Sequence, residues 1–175
     1  MTWNPILCTQ QDLENRVGDI TLWTQDSEEQ SDNVVKTAIA QCGALITSKL
    51  TRYLPELFVT TIGVYSNLPF ADWLVMRGYS YDDLDNVLSE ITNPSVLNPW
   101  AVAFTLLLLS ERQVARFQVI GPNTVAVMVD QRDYWHKESN KLEKECCALL
   151  KIDLNQDGTI RDFGRPRTHK TWLRG

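Results

Sequence analysis

Few metal ligands or catalytic groups stand out in this chain. Its four cysteines, Cys8, Cys42, Cys146 and Cys147, form no CxxC pair, and only two histidines, His136 and His169, accompany them. That excludes a zinc site by spacing and points to structural thiols in a reducing compartment. Neither GxGxxG nor GxxxxGK[ST] occurs, and no nucleophile elbow holds a serine. Nothing in Met1-Thr2-Trp3-Asn4-Pro5 resembles a secretion signal. The most apolar run, 101–109, is about half of what a bilayer span requires. These absences predict a protein made in the cytoplasm, without a membrane segment, a resident cofactor or enzymatic activity.

Isolated groups do not change that. His136 sits among alternating charges, as on a solvated helix face. Asp82, Asp83 and Asp85 cluster where a helix is expected to begin, and carboxylates there favour the helix dipole. Six tryptophans are scattered through the chain. Of these, Trp100 is expected in the core, and the terminal Trp3 and Trp172 suit contacts with a partner.

What the chain does have is helical periodicity. At 175 residues and 43% hydrophobic content it can bury a core as one domain with appendages. Thr9 followed by Asp12 has capping-box spacing, with Leu13, Val17 and Ile20 inward and Gly18 ending a short helix. A polar loop over 24–33 leads to a cap at Ser31 or Asp32. Val35, Ala38, Ile39, Cys42, Leu45, Ile46, Lys49, Leu50 and Tyr53 then mark one face of a long helix that Pro55 should stop. Residues 56–69 read as loop, 70–76 as one or two helical turns, and 80–91 as a capped helix with Leu84, Val87, Leu88 and Ile91 inward.

Asn98-Pro99 reads as cap and first helical position of a helix from Trp100 to about Phe117, apolar nearly all round in its first half and therefore central. Gly121-Pro122 breaks it. Residues 123–129 have strand propensity, but a helix from there to about Ile152 is preferred, its stripe formed by Tyr134, Trp135, Leu142, Cys146, Leu149 and Leu150. The expected fold is all-α: a small helical bundle around a central apolar helix (1–152), an Asp/Asn-rich turn (153–160) and a basic C-terminal arm (161–175).

The turn and the arm are the distinctive parts. Asp153, Asn155, Asp157 and Thr159 match the first ligand positions of a calcium loop, with Gly158 at the sixth. Arg161 and Gly164 then stand where the ninth and twelfth positions need oxygen ligands. Either calcium binds with an incomplete set, as in a calcium-responsive module, or the side chains bond their own backbone and cap the preceding helix. Beyond it, five basic residues face one acidic residue. The net charge of the whole chain is −5, so 161–175 carries +4 and 1–160 carries −9. Such a segment is either a solvated terminus or an arm offered to an acidic partner, with Trp172 as its apolar plug.

The pattern Thr9-x-x-Asp12-Leu13-x-x-Arg16-x-Gly18, an acidic loop, and a long helix with Ala44, Ile46, Ser48 and Leu50 ending Arg52-Tyr53-Leu54-Pro55 resembles the head–tail connector (adaptor) proteins of tailed bacteriophages, in particular the Mu-type neck protein group. The two later helices follow in the order that family uses. The region 56–97, the calcium-like loop and the arm depart from it. The resemblance implies a virion protein of the neck, a homo-oligomeric ring commonly of twelve copies under the portal protein. A downstream neck or tail protein would bind below it, and DNA would pass through the lumen without specific binding. It further implies that Arg165, Arg167, Lys170 and Arg174 pair with acidic portal residues while Trp172 and Leu173 fill an apolar cleft. The neighbouring stopper and tail-terminator roles stay open.

Overall fold

The computed structural model describes residues 6–20, 28–57, 72, 75, 87–89, 91–117, 122–152 and 161–162. The fold is all-α. Its helices are α1 (Gln10–Val17), α2 (Glu28–Leu57), α3 (Asn98–Phe117) and α4 (Pro122–Leu149), with a 3-10 turn at Pro94–Leu97. Two short strands follow, β1 (Lys151–Ile152) and β2 (Arg161–Asp162). Among the described residues no helix is long and apolar enough to cross a membrane.

α1 forms where the local chemistry places it. The Thr9 hydroxyl accepts from the Asp12 amide, and Asp12 returns the bond to the Thr9 amide at 2.8 Å. Two of the helix's free N–H groups are satisfied within four residues. Gly18, at φ 81°, closes the other end by donating its N–H to the Glu14 carbonyl. That conformation costs a residue without Cβ little.

α3 is the centre. Trp100, Ala101, Leu106 and Thr105 are wholly buried, and Val102, Ala103, Leu107 and Leu109 nearly so. α2 runs antiparallel to it. The Cys42 thiol donates to the Ala101 carbonyl at 3.4 Å, and Asn33 and Val34 lie opposite Leu108–Arg112. α4 is antiparallel to α3 on another side, so that Met128 packs on Val114 at one end and Leu142 faces Val102 and Ala103 at the other. Being longer than α3, α4 continues past its start and packs on the 3-10 turn. α2 and α4 therefore end at the same pole, where α3 begins. The two buried hydroxyls inside α3 are satisfied locally: Thr105 and Ser110 donate back to the carbonyls of Ala101 and Leu106, each at 2.8 Å.

Several boundaries differ from the sequence reading. α2 begins at Glu28 rather than at a cap on Ser31 or Asp32, and Ser31 is fully buried. The acidic residue types at 28 and 29 suit the positive end of a helix dipole, so the helix extends back through what reads as polar loop. Nor does Pro55 stop α2, which runs to Leu57. A proline in the last turn removes only one backbone bond and then frees the chain to leave the helix.

Asn98 is helical, with φ −54° and ψ −49°, rather than an N-cap. Its side-chain amide instead donates to the Leu7 carbonyl at 3.0 Å and to Asp12 at 3.2 Å, tying the N-terminal segment to α3. In α4 the inward stripe is Trp135, Ser139 and Cys146, continued by Leu150 just past its end, whereas Tyr134 and Leu149 are more than half exposed. Each exposed residue precedes a buried neighbour, and a 100° step per residue puts only one of the two inside. Similarly Leu45 of α2 is partly exposed beside buried Ile46. Val87, Leu88 and Ile91 are buried as expected, with 87–89 forming a 3-10 turn. The expected loop over 56–69 is helical at 56–57; its remainder, the expected helix start at 80–83 and the acidic cluster at 82, 83 and 85 lie outside the described residues.

Candidate functional site at the root of the C-terminal segment

At the pole where α2 and α4 end, the chain turns from helix into the segment that leads to its basic end. Leu150 donates to both Cys146 and Cys147 carbonyls, at 3.1 and 3.4 Å, so α4 tightens as it stops. Asn93 then spans the break. Its amide nitrogen donates to the Leu149 carbonyl at 3.0 Å, and its amide oxygen accepts from the Lys151 N–H at 2.8 Å. The Thr92 N–H and hydroxyl both donate to the Lys151 carbonyl, at 3.0 and 3.3 Å. β1 in turn pairs antiparallel with β2, Lys151 opposite Asp162 and Ile152 opposite Arg161. Asn93 and Thr92 thus anchor β1, and through it β2, the last described element before residues 163–175 in the sequence.

The same pole carries a charged and aromatic seam. Lys49 of α2 reaches Glu143 of α4 at 2.6 Å, and its ammonium lies 5.5 Å and 5.4 Å from the rings of Trp100 and Phe104. Those rings stack on α3 at 6.5 Å. Trp100 is core, as its sequence context suggests, and among the described residues its indole N–H has no hydrogen-bond partner. Beside this seam an open groove of about 410 Å³ lies between α1, α3 and α4. Pro99, Val102, Ala103 and Leu142 supply its apolar lining; Asp12, Arg16 and Glu138 supply its charges. Hydrogen bonds from the Thr9 side chain and backbone hold the Asp12 carboxyl below its ordinary range, and Asn98 adds to them. Arg16 pairs loosely with Glu138 at 3.5 Å and lies 6.0 Å over Trp135.

The residues singled out in the sequence are mostly beyond this frame. Arg165, Arg167, Lys170, Trp172, Leu173 and Arg174 lie outside the described residues, as do Asp153, Asn155, Asp157, Thr159, His169 and Trp3. On either side of the calcium-like loop, Ile152 and Arg161 pair as antiparallel strands. Among the described residues no group of three or more His, Cys, Asp or Glu is placed to hold a metal. His136 is exposed and meets Asn140 at 3.3 Å. All four thiols are free. Burial raises every one of them, Cys42 and Cys147 to about 12, which suppresses thiolate chemistry near neutral pH.

Sequence reasoning passed over Asn93 and Thr92. Their only local signal is Thr-Asn-Pro before the 3-10 turn, and the partners that give them a role stand nearly sixty residues away. No family model, curated protein or solved structure matches the chain.

Proposed function

We propose that this protein is a structural subunit of a phage neck, a head–tail adaptor that assembles as a ring under the portal and docks through its C-terminal arm. One observation carries the reading. The first two residues of a +4 segment, Arg161 and Asp162, pair with β1, and Asn93 and Thr92 tie β1 to one pole of a helical body whose sequence carries −9. Anchoring fixes where the segment leaves the body, which a docking arm needs and a merely solvating tail does not. The resemblance of 9–18 and of the long helix ending at Pro55 to connector proteins supplies the rest. On this reading Arg165, Arg167, Lys170 and Arg174 pair with acidic portal residues, and Trp172 and Leu173 enter an apolar cleft. The negative body disfavours adhesion of the DNA that passes through the ring.

The experiment is reconstitution with the portal protein. Sedimentation and electron microscopy should find a ring of this chain on the portal, and the purified particle should contain it at the neck. A chain that stays monomeric with its portal and is missing from particles would refute the assignment.

A further inference from the structure

We propose that in the free protein the groove between α1, α3 and α4 seats the chain's own C-terminal segment, with Trp172 and Leu173 on its apolar lining and Lys170 and Arg174 towards Asp12 and Glu138. The inference concerns the unassembled chain and does not depend on what the arm later binds.

Three observations lead to it. First, the groove matches the segment chemically. Its volume of about 410 Å³ and its lining of Pro99, Val102, Ala103 and Leu142 suit a large apolar side chain. Two carboxylates border it against one guanidinium, and the segment 163–175 carries four cations and no carboxylate side chain. The Asp12 carboxyl, held below its ordinary range, stays charged throughout the neutral region. Second, the groove is open, and its one internal ion pair, Arg16 with Glu138, is long at 3.5 Å. A second cation can approach Glu138 without displacing a tight bond.

Third, the reach is sufficient. Leu142 lies seven residues along α4 from Leu149, about 10 Å at helical rise. Asn98 follows directly on the 3-10 turn that begins beside Asn93. The groove is therefore close to the anchored root. From Asp162 to Trp172 the chain can extend at most roughly 33–36 Å. The segment can thus return to its own body, and the root's fixed position makes that closure favourable over a search from a free terminus.

Fluorine NMR on the full-length chain labelled with 5-fluorotryptophan tests the proposal. Six resonances are expected, and Trp172→Phe identifies one of them. The Trp172 signal should stand away from the free-indole position at every protein concentration, and Leu142→Lys should return it there. Since Leu142 also packs against the core, Glu138→Lys provides a milder variant. It should speed tryptic cleavage after Lys170 roughly two- to fivefold while leaving the helical spectrum unchanged. A Trp172 signal at the free position in the unsubstituted chain overturns the proposal, as does a displaced signal that neither variant moves. A displaced signal that reverts to free on dilution assigns the groove's occupant to a second copy and overturns the intramolecular seat. None of these results depends on a portal, so portal docking can stand or fall separately.

Discussion

Asn93 satisfies a carbonyl that α4 leaves open and an amide that β1 would otherwise present to water. Replacing it with alanine removes both bonds at once, and a net cost of about 1–2 kcal/mol is expected in urea unfolding. Faster hydrogen exchange at the Lys151 amide should accompany it. Asn93→Asp keeps the acceptor for Lys151 but sets a negative charge against the Leu149 carbonyl at a helix C-terminus, so it should recover only part of the loss. Asp12 makes a pH prediction. Its folded-state pKa is depressed, so its contribution is present above the unfolded value near 3.9 and fades as pH falls through the lower, folded value. Asp12→Asn should therefore melt below the unsubstituted chain at pH 7, with the gap narrowing in thermal scans taken at progressively lower pH below 4. Cys42 and Cys147 behave oppositely. Their raised pKa values favour the protonated native state, and that contribution is lost as pH rises from the unfolded value near 8.5 towards about 12. In native protein at pH 8, a thiol reagent should leave both unmodified, with reaction only after denaturant is added. The Thr9–Asp12 box was readable because donor and acceptor lie three residues apart. Asn93 was not, because nothing local distinguishes an asparagine that bonds its own turn from one that bonds a distant helix end.

Elements were readable where one face decided them. Val35, Ala38, Cys42, Ile46 and Leu50 recur at helical steps and all are buried in the one core cluster. The apolar start of α3 likewise announced a helix enclosed on most sides. Ends were harder to read, because propensity changes little across them. Acidic residues that read as loop extend α2 backwards, and Pro55 is accommodated in its last turn. How helices meet was not readable at all. Lys49 fits an inward stripe by spacing, yet its ammonium crosses to Glu143 over the edge of α3 while its neighbourhood of Trp100 and Phe104 favours a cation. Both side chains are partly solvated, so the pair should be worth little by itself. A double-mutant cycle of Lys49→Met and Glu143→Gln should give a coupling of about 0.5–1 kcal/mol, reduced at high salt. A coupling of zero would mean that α2 and α4 are held only through their separate packing on α3.

For the whole molecule, sign separation is the organising fact. A body of −9 and an end segment of +4 attract one another, and under the proposed neck role they would meet different surfaces of a partner. Composition alone disclosed this, whereas the place where the segment is fixed required the fold. Deleting 163–175 separates the two roles. The deletion removes four cations and no carboxylate side chains, so the remaining chain goes from −5 to −9 and should bind an anion exchanger more strongly. It leaves α1 to α4, the Asn93 bonds and the β1–β2 pair in place. Helical circular dichroism and cooperative unfolding should therefore persist, with any loss of stability limited to what the proposed seating of the segment contributes. If the proposed docking role holds, portal association should fall below detection on deletion, and for the intact chain it should weaken steeply as salt rises, because its contacts would be charge-led. A truncated chain that still binds the portal with unchanged affinity and salt dependence would place the docking surface on the helical body, and the basic segment would then serve the free protein alone.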